Sequence, residues 1–83
     1  MASLHWRRNA LGPLVDLPER WRERIVAQTD HLRRFPELGM PLTSGQRGRR
    51  RLIVGPYSVV YEYDAGDDVV SILAVTPGGP LFR

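Results

Sequence analysis

The sequence predicts an α+β domain: an N-terminal strand, a two-helix hairpin and a three-stranded antiparallel meander, with the helices packed on one face of the sheet. Three observations carry this expectation. Apolar residues recur at helical spacing between Trp21 and Phe35. From Tyr57 to Tyr63 they alternate at strand spacing, and from Val69 to Val75 they run almost without interruption. Finally, 83 residues can bury one core but not two, so residues 1–83 form a single domain.

In chain order, Ser3 to Trp6 reads as a short strand with Leu4 and Trp6 on one side and Ser3 and His5 on the other. Asn9 is a cap residue for a short helix over Ala10 to Val15, or else the helix begins at Pro13. Either start gives Ala10, Leu14 and Leu17 a common inner face. Pro18 and Glu19 open a second helix, since proline fits the first helical position and a carboxylate complements the helix N-terminus. Its expected stripe is Trp21, Ile25, Gln28, Leu32 and Phe35, and Pro36 stops it. Residues 36–42 read as an ordered loop anchored by Leu38, Met40 and Leu42, and residues 43–48 as a polar, glycine-rich connection. Three strands follow: Arg49 to Val54, Tyr57 to Tyr63 and Val69 to Val75. Gly55-Pro56 and the Asp64 to Asp68 segment are the turns between them. The last strand is the most apolar and is expected to be central. Thr76-Pro77-Gly78-Gly79-Pro80 cannot prolong it.

Composition removes several classes of function. Without cysteine there are neither disulfides nor thiolate metal sites, and His5 and His31 lack a metal-ligand spacing, so no metal or cofactor is expected. No apolar run approaches the roughly 20 residues of a spanning helix, and Met1 to Arg8 lacks the apolar centre of a signal peptide. A cytoplasmic location away from membranes is the expectation. The net charge is +3, and all twelve basic residues are arginine. Guanidinium forks suit phosphate or carboxylate equally, so the charge permits a nucleic acid or an acidic protein as partner.

The densest charge is Arg47, Arg49, Arg50 and Arg51, at the entry to the first strand of the meander. Three readings fit it: a phosphate-binding platform, a contact for the carboxylates of a partner protein, or a solvated strand end that discourages edge-to-edge aggregation. Tyr57, Tyr61 and Tyr63 alternate as sheet residues do, and stacking on bases is the rival reading. His5 is the candidate general base.

Taken in order, several segments resemble the RelE/ParE superfamily of bacterial type II toxins. They are Leu4-His5-Trp6 with Asn9-Ala10-Leu11, Leu14 to Pro18, Leu32-Arg33-Arg34-Phe35-Pro36, Leu38 to Leu42, and above all Arg51-Leu52-Ile53-Val54-Gly55-Pro56-Tyr57-Ser58-Val59-Val60-Tyr61. The resemblance spans nearly the whole chain. It implies a cognate antitoxin as partner, and either mRNA at the ribosome or DNA gyrase as target. In the RNA-cleaving members, cations and a proton donor or acceptor surround the phosphate that a 2′-hydroxyl attacks. Carried over, Arg49 and Arg51 match the basic strand positions, with His5 and Arg83 as candidate substitutes for missing groups and Arg47 and Arg50 as further binding residues. The arginine that follows the turn's Tyr is Ser58 here, the position past the last strand is uncharged, and the late aromatic is Phe82. The resemblance thus implies a toxin with an altered site: an altered ribosome-dependent endoribonuclease, a gyrase poison, or a catalytically degenerate member kept for binding and regulation.

Overall fold

The computed structural model describes residues 1–42 and 48–78. Five strands form one sheet: β1 (Ser3–Trp6), β2 (Met40–Pro41), β3 (Arg49–Val54), β4 (Tyr57–Asp64) and β5 (Val69–Pro77), in the order β1-β5-β4-β3-β2. β1 runs parallel to β5, and every other pairing is antiparallel. Helices α1 (Arg8–Val15) and α2 (Glu19–Asp30) cover one face. The expected α+β layering is present, with one strand more than the meander accounts for. β2 is a two-residue edge within the segment read as a loop. β5 lies inside the sheet, and β4 is its middle strand.

The core lies between the helices and β4–β5. Ala10, Leu14, Ile25, Leu32, Val59, Tyr61, Val70, Ile72 and Val75 are buried, with Leu4, Trp6, Leu17 and Leu52 packed against them. Ile72 and Val75 are an odd number apart, yet both are buried. The register explains this: Val60 pairs with Ala74 and Tyr61 with Ile72, so Leu73 is an extra residue. This bulge resets which side chains face the helices.

Three local expectations are corrected. α1 begins one residue before Asn9, its cap position is Arg7, and no side chain caps it. α2 ends at Asp30 and tightens into a 3₁₀ turn over His31–Arg33. The residue before a proline is disfavoured in helical conformation, so Phe35 leaves the helix ahead of Pro36 and stays 59% exposed. The seam position assigned to Gln28 belongs to Thr29, which is fully buried and donates its hydroxyl to the Val26 carbonyl.

Two contacts set the helix pair on the sheet. Arg22 reaches back to the carbonyls of Val15 and Leu17 and satisfies acceptors left at the end of α1. Trp21 lies on the β3–β4 turn: a Cβ placed on Gly55 would come within 2.2 Å of its ring, and Gly55 also has φ of +57°. Only glycine combines that backbone with that contact. Arg20 and Arg24 flank the same indole at 5.4 and 5.3 Å. Among the described residues no helix is long and apolar enough to cross a membrane.

Candidate functional site

Strand alternation sends every second side chain to the sheet face that the helices leave uncovered. Strand register arranges that outer face in rows. One row runs His5, Ser71, Glu62, Arg49 across β1, β5, β4 and β3. The next runs Ala74, Val60, Arg51, Met40 across β5, β4, β3 and β2. A third contains Thr76, Ser58 and Ile53. Neighbouring strands are about 4.8 Å apart, so His5 and Arg49 are separated by roughly 14 Å. They lie on one face without touching.

The candidate arginines divide between the two faces. Arg49 and Arg51 lie on the outer face. Arg49 approaches Glu62 at 3.4 Å, with both side chains partly exposed. Arg51 is exposed and sits in the apolar row of Val60 and Met40. Arg50 belongs to the opposite face and is half-buried, donating to the carbonyls of Gly39 (2.8 Å) and Glu37 (3.2 Å). Its guanidinium is committed to the 36–39 loop. Arg47 and Arg83, with Phe82, lie outside the described residues.

Ser58 is 6% exposed. Its hydroxyl donates to the Gly78 carbonyl (2.5 Å), and the Gly78 amide donates to the Pro56 carbonyl (2.8 Å). The position that the resemblance makes cationic is therefore occupied by a tie that fastens the end of β5 over the β3–β4 turn.

The three tyrosines have separate roles. Tyr57 meets Trp21 edge to face, with ring centroids 5.9 Å apart. Tyr61 is fully buried: its hydroxyl donates to the Pro36 carbonyl and accepts the Gly39 amide, each at 2.8 Å. Burial pushes this phenol above its ordinary value of 10, while the Gly39 bond and the nearby Arg50 cation pull the other way. Tyr63 donates to the Asp68 carboxylate at 2.7 Å, and that bond raises its phenol as well.

Sequence reasoning missed two features of this region. Nothing in the sequence singles out Glu62, yet register places it between Ser71 and Arg49. The clamp formed by Tyr61 and Arg50 joins residues 11 to 25 positions apart, and only the alternation of Tyr61 hinted that it turns inward.

Comparison with known proteins agrees with this architecture. Residues 4–80 match the model of the ParE toxin of the type II toxin–antitoxin system parDE. None of the curated proteins matches the chain. Among solved structures, the chain is similar to the toxin–antitoxin complex RelBE2 from Mycobacterium tuberculosis, at 27% identity and a TM-score of 0.78, over 92% of this chain and 96% of the other. The archaeal RelE–RelB complex from Pyrococcus horikoshii matches at 25% identity and 0.81, over 95% and 97%. The chromosomal ParDE system of P. aeruginosa shares the fold at 22% identity and 0.73, over 94% and 97%. With residues 4–80 matched, a five-stranded sheet under two helices, and the same fold in RelBE and ParDE complexes, this chain belongs to the ParE toxin family of type II toxin–antitoxin systems.

Proposed function

We propose that this toxin acts by binding and not by cutting RNA: its outer sheet face, with Arg51 and Arg49 set around Ile53, Val60 and Met40, docks on a DNA-gyrase-type target in the cytoplasm, and a cognate antitoxin neutralises it. The observation that carries this reading is the buried Ser58–Gly78 tie. Cleavage through a charged pentacoordinate phosphate needs cationic donors aimed at the developing charge, and losing one such donor typically costs about 10²–10³ in rate. Here the donor position after Tyr57 is a serine turned to the backbone, and Arg50 is held by loop carbonyls on the other face. Arg51 remains exposed beside the apolar side chains of Val60 and Met40, with Arg49 exposed on the same face next to Glu62, which suits a protein contact. The test is induced expression with and without the antitoxin, alongside gyrase supercoiling and primer-extension mapping of cellular mRNA. Inhibited supercoiling with intact mRNA is expected. Ribosome-positioned cleavage with unaffected gyrase would overturn the reading.

One observation favours a second reading, an altered ribosome-dependent endoribonuclease. His5 and Glu62 stand on either side of the small Ser71, with Arg49 next in the row. An imidazole and a carboxylate about two strand spacings apart could serve as acid and base on a phosphate lying over Ser71. Cleavage in a translating extract that disappears in both His5→Ala and Glu62→Gln would establish this reading.

A further inference from the structure

Between α2 and β3 the chain turns a corner that combines two opposed properties. Its backbone is held firmly: Tyr61 binds the Pro36 carbonyl and the Gly39 amide, and Arg50 binds the Glu37 and Gly39 carbonyls. A Cβ on Gly39 would come within 2.8 Å of the Tyr61 ring and of the Arg51 carbonyl, so the corner lies flush against the sheet. Its large apolar side chains nevertheless point outward: Phe35, Leu38 and Met40 are 59%, 49% and 57% exposed. Phe35 and Leu38, with Pro36 and Tyr63, line a groove of about 560 Å³ whose charged rim is Arg34 and Glu37. On the other side, Met40 is paired with Arg51 across the β2–β3 ladder.

We infer that the Phe35–Met40 corner is the anchor surface for the antitoxin: an apolar stripe of the partner packs on Phe35, Leu38 and Met40, and carboxylates flanking that stripe meet Arg34 and Arg51. This rests on the proposal that the chain is neutralised by an antitoxin. The fixed backbone means that little ordering is needed on docking, and exposed apolar anchors on a rigid support give binding hot spots. The charge pattern selects the partner. Arg34 rims the groove beside Phe35, Arg51 stands next to Met40 on the ladder, and Glu37 is the acid on the groove rim. An acidic amphipathic segment therefore fits, and a basic segment or a nucleic acid, which lacks an apolar stripe, does not.

The test uses the full chain and the product of the reading frame adjoining its own. Binding is measured by calorimetry for the parent, for Phe35→Ser with Leu38→Ser, and for Arg34→Glu. The double variant is expected to bind at least about 100-fold more weakly. It should keep the parent's circular dichroism and melting curve, because both residues are solvent-facing. It should also still arrest growth when the antitoxin is co-expressed. Arg34→Glu should weaken binding about 10-fold at low salt and less at high salt. Binding of the double variant within about 3-fold of the parent overturns the inference and leaves the antitoxin reading intact. A parent that does not bind the adjoining product at all overturns both. Sedimentation showing a parent dimer that the double variant dissolves, with antitoxin affinity unchanged, would assign the corner to a second copy of this chain and overturn the inference.

Discussion

Replacing Tyr61 by Phe removes one oxygen atom and leaves the ring in the core. No cavity forms, because the ring's buried volume is unchanged. Two hydrogen bonds at 2.8 Å are lost, from the Gly39 amide and to the Pro36 carbonyl. Gly39 is buried, so its amide has no ready access to water. A net hydrogen bond contributes about 1 kcal/mol, and a buried group left without a partner costs roughly 1–3 kcal/mol. The variant should lose about 2–4 kcal/mol, a large share of the stability of a small domain. In a domain of this size that is a fall in Tm of roughly 10–25 °C. Urea unfolding at pH 7, followed by Trp fluorescence with parent and variant at equal m-values, measures it. Alkaline titration adds an independent check. The folded phenol titrates above its unfolded value of 10, so its contribution is complete below about pH 10 and is lost as pH rises through the folded value. The parent's urea midpoint should therefore fall more steeply than the variant's above about pH 10. A loss below about 0.5 kcal/mol at pH 7 would refute the argument, since it would mean that water reaches both orphaned groups.

Gly55→Ala should destabilise by about 2–5 kcal/mol, from the left-handed backbone together with the clash on Trp21, as read by thermal melting. Ser58→Arg should break the tie to Gly78, cost about 1–3 kcal/mol in urea unfolding, and yield no mRNA cleavage in a translating extract; cleavage would mark the chain as a nuclease one cation short. Arg49→Ala should change stability by no more than about 0.5 kcal/mol, because its pair with Glu62 is long and partly exposed, whereas Arg51→Glu should abolish growth arrest at unchanged melting temperature.

The layering was legible because periodicity reports which face is buried. Ile25 and Leu32 at helical spacing and Tyr57 to Tyr63 at strand spacing needed no partner to be named. What stayed hidden depends on geometry between distant residues. Arg49, Arg50 and Arg51 form one basic run in sequence, and strand alternation splits it between two faces. Charge density, unlike side-chain direction, has no period, so in sequence the run stands as a unit. Met40–Pro41 escaped notice as a strand, since two residues carry no alternation. Phe35 falls on the helical stripe by spacing alone, although the following Pro36 argues against a helical residue there. Ser58 is legible as the place where the expected cation is missing, but its bond to Gly78 depends on the β4–β5 register, which spacing does not encode.

The pairing of β1 with β5 bears on the order in which the molecule assembles. β3, β4 and β5 are joined by tight turns and can form from neighbours in the chain, but Ser3 to Trp6 must find partners 66 positions away. Closing that span costs loop entropy before any bond is returned, and parallel pairing across such a separation folds slowly. Until β1 arrives, β5 presents an open edge in a strand with four consecutive apolar residues, Ile72 to Val75, and that edge could template association with another chain. The N-terminal strand thus acts as the latch of the fold. Substitutions at Leu4 or Trp6 should slow the final folding phase more than they disturb the meander that forms before it.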